Sequence, residues 1–322
     1  MFKNNYASSF PLIDEKPPRA DPTPPLGLHQ RKPPPNPLVM SWSSPHGTPL
    51  PDWRRRTLIM GIMNLTPDSF SDGGTLPGVD AALRRADALL TDGADVLDLG
   101  AESTRPGAAP IMAADELARL LPVVRALRQR FPRAVLSVDT YKPDVAAAAI
   151  AAGADLINDV EGGRFQARGD ESPMSSVCAQ ARCPLILMHR RREANYQDFW
   201  PEILSDLRGS LRAAMAAGVR PEQLWTDPGF GFGKTPAQNL MLVRDLAKIA
   251  ALGHPVLLGT SRKSTLGLVL DEPDPLRRGP GNDVTAAWGI AQGCSMLRVH
   301  DVSAIRPVVR MADALRQAPR TA

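Results

Sequence analysis

Cysteine is scarce in this chain: Cys178, Cys183 and Cys294 are the only three among 322 residues. Three thiols cannot build a disulfide framework, and their spacing lacks the paired arrangement of a zinc-thiolate site. His189, His254 and His300 form no HExxH-type cluster, so a histidine-held zinc ion is not expected either. Long apolar runs are missing as well. No stretch approaches the ~20 residues required to cross a bilayer, and the opening "MFKNNYASSF" has neither an apolar core nor a small-residue cleavage site. No membrane contact and no secretory signal are expected, and a reducing cytoplasm is the expected location. Charge of one sign is barely in excess. The net charge is +4, and half of it falls within residues 1–51. The rest of the chain has no long basic run, so nucleic acid is not an expected partner.

What the chain has in abundance is proline, and it is concentrated. Thirteen of the 32 prolines lie in residues 1–51, in stretches such as "KPPRADPTPPLG" and "RKPPPNPLVM". Proline removes backbone donors and fixes φ, so this density predicts a disordered, extended tail over 1–51 and a folded domain over 52–322. Met40 is an alternative start for translation.

From Thr57 onward short aliphatic runs alternate with helical stretches, eight times. "TLIMGIM", "ADVLDLG", "AVLSVDT", "ADLINDV", "PLILMH", "QLWTD", "PVLLGT" and "SMLRVHD" read as strands buried on both faces, as in a parallel sheet. Between them lie segments such as "ADELARLLPVVRALRQRF", whose apolar residues recur at helical spacing; those after "ADLINDV" and "PVLLGT" are less regular. Eight units in this length match an α/β fold of the (β/α)8 TIM-barrel class, typically ~250 residues. A doubly wound open sheet is the alternative, since counting units does not establish closure.

Active sites of such barrels lie at the C-terminal strand ends. Those ends read Asn64; Asp98 with Glu102; Asp139; Asn158 with Asp159; Met188 with His189; Asp227; Lys263; and Arg298 with His300 and Asp301. A single carboxylate there can simply cap the following helix. Eight polar ends on one rim point to a functional face. The segment "DPGFGFGKT" is not a Walker A loop, because the position that must be glycine is Pro228.

These rim segments resemble dihydropteroate synthase. "GIMNLTPDSFSDGG", "GAESTRPGA", "SVDTYKP", "LINDV", "DPGFGFGKT", "GTSRKS" and "RVHDV" stand in the family's order from about Thr57 to Val302. The resemblance implies condensation of 6-hydroxymethyl-7,8-dihydropterin diphosphate with p-aminobenzoate, with Mg²⁺ and a homodimer. It assigns the pterin edge to Asp139, Asn158, Asp227 and Lys263, with Met188 on the ring face. Arg298 and His300 would hold the diphosphate, Asn64 and Asp72 the metal. Phe70, Thr104, Arg105, Pro106 and Ser264 would shape the p-aminobenzoate pocket. The residue types suit these tasks: carboxylates and amides match an aminopyrimidinone edge, and cations match a departing diphosphate. The sequence departs from the family's usual course after Met188-His189, where "RRREANYQDF" replaces a Gly-x-Pro turn, and at Asn282-Asp283. Three other readings are a pterin-binding methyltransferase on the same barrel, a Schiff-base aldolase using Lys263, and a non-catalytic pterin-binding paralogue.

Overall fold

The structure is a computed structural model, and it describes residues 42–65, 75–102, 109–167 and 171–319. Eight short parallel strands follow in chain order: β1 (Leu58–Asn64), β2 (Val96–Gly100), β3 (Val135–Asp139), β4 (Leu156–Asp159), β5 (Leu185–Met188), β6 (Leu224–Asp227), β7 (Leu257–Leu258) and β8 (Met296–Val299). They pair in the order β6-β5-β4-β3-β2-β1-β8-β7. A parallel bridge from Thr226 to Val256, beside the 3.0 Å bond from Thr226 N to Pro255 O, joins the two ends. The sheet therefore closes on itself, and the open alternative falls away.

The helices are α1 (Thr75–Asp92), α2 (Ala113–Arg130), α3 (Pro143–Ala152), α4 (Pro173–Ala181), α5 (Phe199–Ala216), α6 (Pro236–Arg244), α7 (Ala247–Ala250), α8 (Ser264–Leu270), α9 (Gly279–Ala291) and α10 (Val302–Gln317). Several carry their start signals in the sequence. Thr235 and Gln238 form a reciprocal capping box on α6. Asp301 caps α10 by accepting from Ala304 N at 3.1 Å, so this strand-end carboxylate is a cap. The two less regular segments of the sequence resolve into α4 and into the pair α8 and α9.

Period-two alternation sorts each strand into two faces. One face packs beneath the helices in a shell that includes Leu97, Leu136, Val138, Ile157, Leu187 and Leu297. The other gives an apolar plug in the barrel's lower half: Leu58, Met60, Val96, Val135, Leu156, Ile186, Trp225, Leu257 and Met296. Two residues further along the same strands stand Asp98, Ser137, Asn158, Met188, Asp227 and Arg298, with Asp139 and His300 two beyond Ser137 and Arg298. The polar layer is thus stacked on the apolar one, at the end where the loops open.

The lower plug corrects one expectation. Residues 42–51 were expected to be unpacked, yet Trp42 is buried and its ring lies 4.7 Å from that of Trp225, with Trp53 at 5.9 Å on the same indole. Ser43 N donates to Gln223 at 2.9 Å, Ser44 Oγ to Asp155 at 2.5 Å, and His46 Nε2 lies 2.8 Å from Ile150 O. Proline density fixes backbone shape without forbidding packing, and two tryptophans supply enough apolar area to seat the segment. The expectation for residues 1–41 lies outside the described residues. Removing 1–41 should leave the melting temperature unchanged, whereas Trp42→Ala should cost about 3 kcal/mol; urea unfolding of both variants checks this.

Candidate functional site

The polar layer is organised around Arg298. Its Nε donates to Asp98 at 2.6 Å and its Nη2 to Asp139 at 2.7 Å, so one guanidinium links β8 to β2 and β3 through the barrel interior. Asp98 is fully buried and also accepts from Ser137 Oγ at 2.5 Å and Asn158 Nδ2 at 3.4 Å. Backbone pairing of Asp139 with Asn158, and of Met188 with Asp227, sets these side chains level on neighbouring strands. Asp139 Oδ1 is buried and makes no hydrogen bond among the described residues. Such a lone acceptor is costly to bury unless something donates to it.

Asp227 accepts from Gly229 N at 2.7 Å, and burial lifts its carboxyl above the usual range, with Lys263 opposing the shift. Lys263 follows β7 and precedes α8. Its Nζ donates to Phe230 O and sits 4.5 Å from the centre of the Phe232 ring. Burial pushes this amine down to about 8, against the pull of Asp227. Burial lifts Asp139 to about 7, although Arg298 pulls the other way; Asp98 adds to the rise. Three carboxylates and two cations share this interior, and two of the five groups, Asp139 and Lys263, are shifted toward neutral pH.

The upper rim carries His300, whose Nδ1 lies 3.0 Å from Ser261 Oγ and whose backbone carbonyl accepts from Arg85 at 2.6 Å. Asn64 ends β1 exposed, and Ser264 is exposed at the start of α8. Glu102, at the stem of the second loop, takes Tyr141 Oη at 2.9 Å and Lys142 Nζ, and Lys142 reaches Glu116 at 2.6 Å.

The structure therefore brings together Asp139, Asn158, Met188, Asp227, Lys263 and Arg298 in the barrel mouth, with His300, Asn64 and Ser264 at its edge. Phe70, Asp72, Thr104, Arg105 and Pro106 lie outside the described residues. Asp159 is turned away from the mouth, accepting from Glu161 N at 2.8 Å and Gly163 N at 2.6 Å. Sequence reading placed Asp98 on the rim without a task, and passed over Ser137. Both sit two residues from an inward-facing neighbour, which is the signal that could have found them. A separate cavity of about 120 Å³, lined by Cys178, Cys183 and Gln223, opens at the N-terminal ends of β5 and β6 and takes no part in this constellation.

Two variants test the electrostatics. Arg298→Met leaves Asp98 and Asp139 without their cation and should cost about 3–5 kcal/mol of stability. Asp139→Asn should do the reverse. The folded protein holds the Asp139 proton up to about 7, whereas the unfolded chain releases it near ~4. Stability is lost as pH rises between those values, and the amide escapes that loss. Chemical unfolding at pH 5 and pH 8 should show the Asn variant gaining on wild type at the higher pH.

A family profile described as pterin binding enzyme matches residues 60–300. A dihydropteroate synthase of Bacillus subtilis is 44% identical over 263 residues, covering 82% of this chain and 90% of that protein. Among solved structures, a dihydropteroate synthase of Clostridium difficile with pteroic acid superposes with TM-score 0.78 at 41% identity, covering 82% of this chain and 98% of that one. One of Xanthomonas albilineans with 4-aminobenzoic acid gives TM-score 0.77 at 41% identity, over 82% and 94% respectively.

Proposed function

The chain belongs to the dihydropteroate synthase family of pterin-binding enzymes, and we propose the following division of labour among its rim residues. The enzyme is a transferase. It condenses 6-hydroxymethyl-7,8-dihydropterin diphosphate with p-aminobenzoate to give 7,8-dihydropteroate and diphosphate. The observation that carries the assignment is Asp139 Oδ1, a buried acceptor with no bond among the described residues, beside Asn158 and Asp227 at the open end of the barrel.

Asp139 and Asp227 accept from the ring N–H and amino groups, Asn158 both donates and accepts, and Met188 packs on the ring face. Lys263 donates to ring acceptors. Of the five Arg298 N–H donors, one on Nε and one on Nη2 bond Asp98 and Asp139, and those of Nη1 with the second on Nη2 remain for a diphosphate oxygen. His300 supports the same group from the rim. Charge develops on the diphosphate as its C–O bond breaks, so preorganised donors there lower the barrier. The arylamine nitrogen then bonds to the pterin carbon that released the diphosphate, and its proton passes to solvent. Thr104, Arg105, Phe70, Pro106 and Ser264 form the arylamine's side of the site.

Mg²⁺ belongs with Asn64 and Asp72. Amide and carboxylate oxygens are hard donors, and Asn64 is exposed on the rim where such an oxygen can reach an ion. When bound, the ion would neutralise charge on the departing diphosphate. Three buried free thiols support a cytoplasmic setting, and no helix among the described residues is long and apolar enough to cross a membrane. An apolar face on α9 and α10, with Val284, Trp288, Met311 and Leu315 exposed at helical spacing, supports a homodimer.

The direct test incubates pterin diphosphate, labelled p-aminobenzoate and Mg²⁺ with the enzyme and follows dihydropteroate. Asp139→Ala should weaken pterin binding by tens to hundreds of times, about 2–4 kcal/mol, and unchanged affinity by calorimetry would remove Asp139 from the site. Wild-type pterin affinity should be bell-shaped in pH. It is lost as pH falls through about 7, where Asp139 takes up its proton, and as pH rises through about 8, where Lys263 gives its up. Asn64→Ala and His300→Ala should cost about 2–4 kcal/mol in diphosphate handling while leaving affinity for the bare pterin alcohol nearly unchanged. Equal losses for both ligands would place these residues on the ring; a methyltransferase would show no diphosphate-specific defect.

A further inference from the structure

The glycine-rich ribbon after β6 and the fifth loop, "HRRREANYQDF", lie against each other. Gly229 and Gly233 have positive φ, and a Cβ on them would stand 1.8 Å from His189 O and 2.1 Å from Arg191 O. Only glycine permits that approach. Lys234 closes the contact from within. Its Nζ donates to Gly229 O at 3.0 Å and Phe232 O at 2.9 Å, and lies 3.0 Å from His189 Nδ1. His189 is fixed from its far side, where Nε2 stands 3.0 Å from Asp206, itself paired with Arg191. With Nε2–H donating to Asp206, Nδ1 is the acceptor that Lys234 requires. Burial and the Lys234 charge keep this ring neutral by pushing it down to about 3, against the pull of Asp206. Tyr196 Oη adds a 3.0 Å bond to Gly233 O. On the ribbon's other face, Phe230 O and the Phe232 ring hold Lys263 Nζ.

We propose that Lys234 is a positioning residue for the pterin site: its three bonds to Gly229, Phe232 and His189 fix the ribbon where Phe230 O and the Phe232 ring aim Lys263 Nζ. This rests on Lys263 being a pterin contact, as proposed above. Four acceptors converge on one point in the interior, the fourth being His189 O at 3.4 Å, and a protonated lysine carries three N–H donors to share among them. A residue kept for packing alone would be apolar here. Burial pushes the Lys234 amine down to about 7; Lys263, Arg164 and Arg191 add to the effect, and Asp227 opposes it. The fold therefore keeps a basic group at a position that disfavours its charge, which is common where geometry serves function.

The test measures affinity for the bare pterin across pH for the full-length wild type, Lys234→Met and His189→Gln. Gln keeps an amide near the Nε2 position, facing Asp206, and loses the Nδ1 acceptor. Lys263 faces Asp227, Asp139, Arg298, Phe230 O and Phe232, and it also interacts with the Lys234 amine, whose charge Lys234→Met removes and His189→Gln keeps. If the ribbon loosens, Lys263 gains solvent, its amine returns toward the ordinary lysine value, and the alkaline limb of binding moves up. Lys234→Met is expected to weaken pterin binding by about tenfold or more and to move that limb up by about one pH unit. His189→Gln is expected to do the same to a smaller degree, and it decides the matter if Lys234→Met does not fold. Wild-type affinity with an unmoved limb overturns the proposal. So does weaker binding with the limb unmoved, which is the signature of general loosening. A wild type that binds no pterin overturns the proposal by removing the reading beneath it, a failure separate from wild-type-like variants.

Discussion

One buried guanidinium sets the terms for the rest of this barrel. Arg298 spans the interior from β8 and holds Asp98 and Asp139 on β2 and β3. A carboxylate alone at either position would be too costly to desolvate, and the guanidinium alone would be equally so. Held together, they leave a polar surface with most of its bonds made and one acceptor, Asp139 Oδ1, unmade. That arrangement keeps one buried acceptor open at the mouth of the barrel. The neighbouring Asp227 and Lys263 add an acceptor and a donor across the mouth.

Below this layer the barrel is apolar. Nine strand residues and Trp42 fill its lower half, which gives the polar layer a packed floor. Burial explains why the protons of Asp139 and Lys263 sit near neutrality, far from their ordinary positions. Burial favours the protonated form of Asp139, so its charged form is kept inside the barrel at a cost to stability.

The loops above the floor are held by contacts of a different kind. Glycines at 229 and 233 press one loop's backbone onto another, and Lys234 supplies the donors that such a junction would otherwise lack. The second loop is gripped at its stem by Lys142 through Glu102.

The sequence by itself determined the alternation of strands and helices, because buried parallel strands and amphipathic helices have different periods that survive without any tertiary contact. It also determined which residues end the strands, so Asp139, Asn158, Asp227, Lys263 and Arg298 were legible as a rim. Their partners were not. That Arg298 bonds Asp98 and Asp139, positions 200 and 159 residues away along the chain, follows from barrel closure and strand register, which no local pattern encodes. Asp301 and Asp227 look alike in sequence, yet one caps a helix and the other faces the mouth. Period two decides which way a side chain points only once the strand's first inward residue is known. The packing of Trp42 beneath the barrel was hidden for the same reason: its partner, Trp225, lies far along the chain, and proline-rich composition describes the backbone's stiffness without saying what it will meet.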